Sequence, residues 1–246
     1  MKTRGVGSTW LTTGSSNRTR MMMMIKRTAC IILVFLMPAM AAGQKTDFGI
    51  WYEAKAEKKI IGNLRFDLEA SIRTDQNAAH IEKFYIEPGL RYKFNDYMAA
   101  GLYYRLIEQK ENDGNYHPRN RWFAQVKGTA PSVYRFTFAA RYRIQQQLKT
   151  YIKDPDDDVP GWYQRVRLEL DYDVKGFPLK PFINAEMHFL IFSPNEYTVD
   201  KWRSIIGAEY TVNKKHTFGL EYIYNDSRVT KPAYMNVIGV TYSVKL

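Results

Sequence analysis

Cysteine is nearly absent from this sequence, and its position excludes one class of exported protein. The 246 residues contain a single cysteine, Cys30, which lies in an N-terminal segment ahead of the main part of the chain. No disulfide can form within the rest of the chain, so the small disulfide-stapled scaffolds typical of secreted domains are excluded. A chain of about 200 residues without such bridges has to be held together by a large sheet or core.

Long apolar runs are missing after Gln44, as are the common cofactor and nucleic-acid motifs. No stretch there approaches the roughly 20 apolar residues that a membrane-spanning helix needs. The sequence has no glycine-rich phosphate loop and no Cys/His set with metal-ligand spacing, so no cofactor and no metal is predicted. The net charge is +11, but six of these eleven charges come from residues 1–44, which hold no acid. The remaining excess of +5 does not indicate a nucleic-acid partner.

Residues 24–44 have the pattern of a cleaved secretory signal peptide. Lys26 and Arg27 give the positive start, residues 31–37 form the apolar core, and small residues offer a cleavage site within residues 41–44. The apolar core is too short to remain in a membrane as a helix. The chain is therefore predicted to be exported through the inner membrane.

Apolar and polar side chains alternate along nearly all of the chain after the signal. The alternation is clearest in residues 64–73, 83–94, 135–145 and 162–173. Weaker alternation continues in residues 97–108, 120–128, 180–191, 201–212, 216–225 and 234–246. In a helix such residues would spread around the whole surface, whereas in a strand they separate onto two faces. The pattern therefore predicts strands.

The lengths of the strands and of their connections predict a membrane barrel. Runs of about 10–12 residues match a tilted strand crossing a bilayer, whereas strands of soluble proteins average about 5–6 residues. Short turns alternate with longer polar loops, as they do at the two ends of an outer-membrane barrel. We therefore predict an N-terminal extension and signal peptide in residues 1–44. Residues 45–246 are predicted to form an all-β, up-and-down antiparallel transmembrane β-barrel of about ten strands, with twelve as the alternative.

Ten strands are favoured because single-chain bacterial barrels have an even number of strands. About eleven strand-like runs can be counted, and residues 48–56 are interpreted as an inserted or flanking segment. The barrel would then close between residues 64–73 and the last strand, residues 234–246. In that last strand Gly239 stands three positions before Tyr242, which resembles the terminal signal by which barrels are recognised for assembly.

The predicted location is the cell outer membrane. Its lipid and lipopolysaccharide would surround the barrel, and the barrel-assembly machinery would be a partner during biogenesis. Aromatic residues near strand ends would form girdles at the two membrane interfaces. These are Trp51, Trp122, Trp162, Trp202, Tyr92, Tyr97, Tyr172, Tyr210 and Tyr242. The alternative is a soluble periplasmic binding barrel, which would have shorter strands and an outward polar face.

A membrane barrel turns its apolar set to lipid and its charged set to the interior. The predicted lumen-lining charges are Arg65, Glu69, Glu87, Arg91, Arg105, Arg141, Arg143, Arg165, Arg167, Glu169, Glu186, Arg203, Glu209 and Glu221. Ten strands leave a narrow interior, in which charges have to pair or find water. The function predicted is therefore structural, with a salt-bridged plug, or that of a small channel whose Arg-rich wall favours polar and anionic solutes.

An outer-membrane barrel enzyme, acting on lipid or peptide at the outer rim, is the alternative function. His188 shares a face with Glu186, which could orient it, but Ser193 lies at opposite parity and Ser204 on the lipid-facing set. No serine is thus placed to act as its nucleophile. The acidic run of residues 154–158 has the wrong spacing for a calcium-binding EF-hand loop. We predict no catalytic residue and no enzyme activity.

Five short segments resemble an exported protein family. They are residues 50–53 (IWYE), 87–92 (EPGLRY), 101–105 (GLYYR), 165–169 (RVRLE) and 184–186 (NAE). Together they resemble the domain-of-unknown-function family DUF2490, over nearly all of the chain after the signal. The resemblance implies an outer-membrane barrel without an assigned activity, so it supplies no site residues.

Overall fold

The computed structural model describes residues 46–111, 113–150, 161–191, 199–227 and 234–246. Within these ranges eleven strands form one closed barrel in which chain neighbours are also sheet neighbours. The strands are β1 (Thr46–Ile61), β2 (Leu64–Asp75), β3 (His80–Lys93), β4 (Met98–Lys110), β5 (Tyr116–Thr129), β6 (Phe136–Lys149), β7 (Gly161–Tyr172), β8 (Leu179–Ile191), β9 (Val199–Val212), β10 (His216–Ser227) and β11 (Tyr234–Lys245).

The barrel closes through a parallel pair, which corrects the predicted strand number. β1 pairs in parallel with β11, from Thr46 opposite Tyr234 to Glu57 opposite Lys245, and antiparallel with β2. Residues 48–56 therefore belong to a full strand of the wall and are not a flanking segment. In an up-and-down barrel with an odd number of strands, the first and last strands run in the same direction, so their closing pair has to be parallel.

The two faces of the wall have opposite chemistry. Large apolar side chains are exposed on the outer face, for example Leu102 at 59%, Ile183 at 56% and Leu220 at 61%. Charged side chains are buried on the inner face, for example Glu186 at 0% and Arg105 at 7% exposure. This is the reverse of a water-soluble barrel and is the arrangement of a transmembrane β-barrel.

The two ends of the barrel differ in their connections. At the short-turn end, the connections between described strands are the tight turns at residues 62–63, 94–97, 130–135, 173–178 and 213–215. The opposite end is called the long-loop end, because its two longest connections, residues 150–160 and 192–198, contain more residues than any turn at the short-turn end. The tight turns use residues with positive φ, among them Gly62 (51°), Asn213 (51°) and Lys214 (58°), and such backbone suits hairpin reversals.

Several predictions concern residues outside the described ranges. These are the signal peptide, the acidic run at residues 154–158 and Ser193. The described part of the chain contains no helix that is long and apolar enough to cross a membrane.

Aromatic pairs mark two belts on the outer face. Near the short-turn end they are Tyr92–Phe94, Phe136–Tyr172, Phe177–Tyr210 and Phe218–Tyr242. Nearer the long-loop end they are Phe84–Tyr116, Trp122–Trp162 and Tyr224–Tyr234. Trp162 and Tyr172 lie ten residues apart on β7. That separation is roughly 33 Å along the strand, or about 25 Å across a bilayer at a tilt of about 40°, the height of a barrel's apolar band.

Trp51 is the exception among the predicted girdle residues. It is 5% exposed and packs inside the barrel in a small apolar cluster with Ile205, Ile223 and Val237. Its position on β1 has the parity of the interior set, and the guanidinium of Arg73 stacks on its ring at 3.8 Å. The prediction that Trp51 is a girdle residue was therefore wrong. It relied on the position of Trp51 near a strand end, whereas alternation along the strand decides which face a side chain takes.

Candidate functional site

The interior of the barrel is the candidate functional site. Thirteen of the fourteen predicted lumen-lining residues are buried or half-buried, at positions that alternate with the exposed apolar residues. The exception is Glu209 on β9, which is exposed near the short-turn end. Many of the interior charges form three clusters of ion pairs.

Glu186 on β8 is the centre of the largest cluster. Its carboxylate is fully buried and accepts hydrogen bonds from Arg167 Nε at 2.7 Å and Arg141 Nη2 at 3.0 Å. Arg203 Nη1 lies 3.4 Å away, and His188 Nε2 lies 2.7 Å from Glu186 Oε1. The strand pairings explain this convergence, because Glu186 lies directly opposite Arg167 on β7 and Arg203 on β9. One carboxylate therefore holds cations from three neighbouring strands, β6, β7 and β9.

A second cluster joins β1 to β4 on the other side of the interior. Arg105 forms a salt bridge with Glu87 and lies 3.5 Å from Glu69. Tyr85 donates a hydrogen bond to Glu69 at 2.6 Å, and its ring also lies under the Arg105 guanidinium at 3.7 Å. Lys55 bridges to Glu69 at 3.7 Å, which ties β1 into the same cluster.

Sequence reasoning missed three members of this cluster: Lys55, Tyr85 and Glu53, whose carboxylate lies 2.8 Å from Lys55 Nζ. Lys55 and Glu53 were missed because their strand was set aside to obtain an even strand number. Tyr85 was missed because only charged residues were counted, although its hydroxyl accepts from Arg73 at 2.9 Å. In β1 the charged residues Glu53 and Lys55 alternate with Tyr52 and Ala54. This alternation was the signal that could have placed both charges in the interior.

A third cluster lies near the short-turn end. Glu57 pairs with both Arg65 and Arg91, and Arg91 also donates to Asp67 at 2.9 and 3.0 Å. Tyr103 donates to Asp67 at 2.9 Å. This cluster is nearly balanced in charge, with two carboxylates for two arginines.

The long-loop half of the interior contains an open cavity of about 320 Å³, called here the long-loop cavity. Eight cationic side chains line it: Arg73, Lys83, Arg105, Arg119, Arg121, Arg165, Lys201 and Arg203. Only three carboxylates do so: Asp75, Glu82 and Asp200. A second cavity of about 340 Å³ lies in the short-turn half and is lined by six cations and four carboxylates. The surplus of positive charge is therefore concentrated towards the long-loop end.

The described residues offer little support for the predicted enzyme alternative at His188. Its Nε2 is engaged by Glu186, and Ser204 accepts a hydrogen bond from Trp202 Nε1 at 2.8 Å. Among the residues with defined positions, no cluster of His, Cys, Asp and Glu could hold a metal ion. Two other histidines contact aspartate carboxylates towards the long-loop end. His80 lies 3.0 Å from Asp75, and His117 lies 2.7 Å from Asp113.

Three solved barrels are similar to this chain, and no curated protein matches it in sequence. The NanC porin is 16% identical, with 81% of this chain and 99% of that chain covered and a TM-score of 0.49. The beta domain of the Bordetella autotransporter BrkA is 9% identical, with 75% and 82% covered and a TM-score of 0.48. The translocator domain of the autotransporter NalP from Neisseria meningitidis is 12% identical, with 85% and 92% covered and a TM-score of 0.41. Because the TM-scores are below 0.5, the barrel fold is assigned from the strand pairing alone.

The family is shown by sequence. The model of DUF2490, described as a protein of unknown function, matches residues 48–236. The match runs from β1 into β11 and includes the five segments noted in the sequence. The chain therefore belongs to the DUF2490 family.

Proposed function

We propose that this chain is an outer-membrane barrel that gives small anionic solutes a path across the membrane. The observation that supports this proposal is the charge of the long-loop cavity, with eight cationic side chains against three carboxylates. In a narrow interior surrounded by lipid, such a wall lowers the energy of an anion and raises that of a cation. Outer-membrane lipid, lipopolysaccharide and the barrel-assembly machinery are the partners that this location implies.

Ion pairs separate the two cavities along this path. Arg105 lines the long-loop cavity, Glu87 lines the short-turn cavity, and the two side chains are bonded to each other. A solute has to displace such pairs in order to pass. A solute anion can do so by competing with the carboxylates for their arginines, whereas a neutral solute cannot. We therefore expect a small conductance with a preference for anions.

The membrane location is tested by heat-modifiable gel migration of the protein in isolated outer membranes. A folded barrel migrates faster before boiling than after it. The soluble periplasmic alternative predicts a band in the soluble fraction that does not shift, and that result would reject the proposed location.

Channel activity is tested by the reversal potential in planar bilayers under a potassium chloride gradient. We expect chloride to permeate better than potassium, and Arg121→Gln to move the permeability ratio towards unity. Arg121 lines the cavity, donates to Gln147 and forms no salt bridge with a described carboxylate, so its charge is available to a solute. Arg135→Gln is the matched control, because Arg135 is exposed in a turn at the short-turn end. Cation selectivity, or no conductance in the reconstituted protein, contradicts the proposal.

A hydrolase acting on lipid or peptide is a second candidate, favoured by the two histidine–acid pairs towards the long-loop end. A carboxylate that orients a histidine is a common part of a general base. Hydrolysis of a phospholipid or a fluorogenic peptide by the refolded protein, abolished in His117→Asn, would favour this candidate. His216→Asn is the control, because His216 lies at the other end and bonds Tyr242 at 2.8 Å.

A further inference from the structure

The long-loop cavity contains a concentration of unpaired polar atoms. Five of the residues that line it each have a buried side-chain atom with no hydrogen-bond partner among the described residues. These atoms are the donors Trp51 Nε1, Arg119 Nε and Arg165 Nε and the acceptors Gln145 Oε1 and Asp200 Oδ1. Buried polar groups are nearly always hydrogen-bonded in folded proteins. Five such atoms around one space indicate that a polar occupant belongs there.

The occupant has to carry negative charge. Arg165 is the cation best placed to contact it, because Arg165 Nη1 is 4.0 Å from Glu186, whereas Arg167 Nε holds the same carboxylate at 2.7 Å. Lys201 lies in the same wall and forms no salt bridge with a described carboxylate. Water alone could satisfy the unpaired atoms but would leave this charge only partly compensated, by Glu186 and Asp200.

An occupant that also donates hydrogen bonds would satisfy the unpaired acceptors itself. Gln145 is only 2% exposed, and its unpaired Oε1 can accept hydrogen bonds but cannot donate them. A simple inorganic anion or an unsubstituted carboxylate supplies acceptors only, so Gln145 Oε1 would then need a separate water as its donor. A ligand hydroxyl can donate to Gln145 and can also accept from Trp51 Nε1, on the β1 side of the same cavity.

We propose that the long-loop cavity is a binding site for a small carboxylate that also carries several hydroxyl groups. The carboxylate contacts Arg165 and its cationic neighbours, while the hydroxyls pair with Gln145, Asp200 and Trp51. The volume of about 320 Å³ is at the lower end of small-molecule sites, which run from about 300 to 1,000 Å³. This inference rests on the proposed function and narrows its solute class from anions in general to hydroxylated carboxylates.

The test uses three probes of equal carbon number with the purified, detergent-folded full chain. Gluconate has the carboxylate and the hydroxyls, sorbitol has the hydroxyls alone, and hexanoate has the carboxylate alone. Calorimetric titration should show gluconate binding at least tenfold more tightly than either of the other two. Equal affinity for gluconate and hexanoate, or no binding of gluconate, overturns the proposal.

Gln145→Met tests the hydroxyl contact directly, because methionine keeps the side-chain length and removes the acceptor. We expect this variant to lose at least tenfold in gluconate affinity and to leave hexanoate affinity unchanged. Gln146→Met is the matched control, because Gln146 lies on the outer face and accepts from Trp122 at 2.5 Å. Unaltered gluconate affinity in Gln145→Met overturns the proposal, provided that heat-modifiable migration shows a folded barrel.

Conductance and binding separate the two proposals. If the barrel conducts chloride but does not prefer gluconate, the ligand class is wrong and the channel stands. If gluconate binds with the stated preference but no conductance is found, the site stands and the channel is wrong.

Discussion

Glu186→Gln is the substitution that most directly tests whether ion pairs hold the interior together. The change removes one negative charge from a fully buried carboxylate that contacts Arg141, Arg167, Arg203 and His188. The amide keeps one oxygen that can accept, but its NH₂ group points donors at guanidinium groups that are themselves donors only. The arginines are then left close together with no buried anion between them.

The expected loss follows from the behaviour of buried ion pairs. Removing one partner from a buried pair costs about 3–5 kcal/mol, because the other charge stays buried without compensation. We take about 3 kcal/mol for Glu186→Gln, since the arginines can shift towards water in the cavities. With a urea slope of about 2 kcal/mol per molar, the unfolding midpoint should fall by roughly 1.5 M.

The matched control is Glu209→Gln on the neighbouring strand β9. It removes the same charge from an exposed side chain, so its effect should stay within about 0.5 kcal/mol. Both proteins are folded in the same detergent, and unfolding is followed in urea by tryptophan fluorescence and by the unboiled gel band. If the two variants lose equal stability, the Glu186 cluster does not stabilise the barrel, and the reasoning from its contacts is wrong.

Two further predictions concern a tight backbone contact and a loop carboxylate. In Gly49→Ala the new Cβ would lie 2.3 Å from the Thr74 carbonyl oxygen, so we expect a loss of about 1–3 kcal/mol in urea unfolding. Gly128→Ala is its control because nothing lies within 4 Å there, and equal losses would contradict the contact. Hydrogen bonds from His117 and from a backbone N–H lower the pKa of Asp113 to about 2. The loop contacts should therefore be fully formed above about pH 4 and lost as the pH falls through 2; a carboxyl carbon NMR midpoint near 4 would contradict this.

The faces of the strands could be predicted from sequence, because alternation is a local property of a strand. The same local rule assigned Arg105 and Glu186 to the interior, where both are buried. Closure could not be predicted, since it depends on whether β1 has a partner in β11, far away in the chain. The prediction of ten strands followed the general preference for even strand numbers and ignored the alternation within β1. For this protein that prediction was wrong.

The partners of each charge could not be predicted from sequence either. They depend on the register between strands, which places Glu186 opposite both Arg167 and Arg203. A shift of one residue would turn every side chain of a strand to the other face, so alternation excludes such a shift. A shift of two residues keeps the same faces, so alternation alone does not fix the register. Which arginine shares which carboxylate, and which one faces the cavity, therefore emerges only once the barrel is closed.

The distribution of charge is the observation on which the proposal of a channel, in place of a plug, depends. A plug that serves stability alone should balance its charges, because each unpaired buried charge lowers stability. The Glu57 cluster at the short-turn end is close to that balance. The long-loop cavity is not, because Arg121 and Lys201 lack carboxylate partners among the described residues and the acceptor of Gln145 is unpaired. Such an excess lowers stability in the empty barrel, and an anionic ligand that enters the cavity would compensate it. Under the proposed function, the paired charges at the centre and the short-turn end act as a scaffold, and the cavity towards the long loops binds the solute.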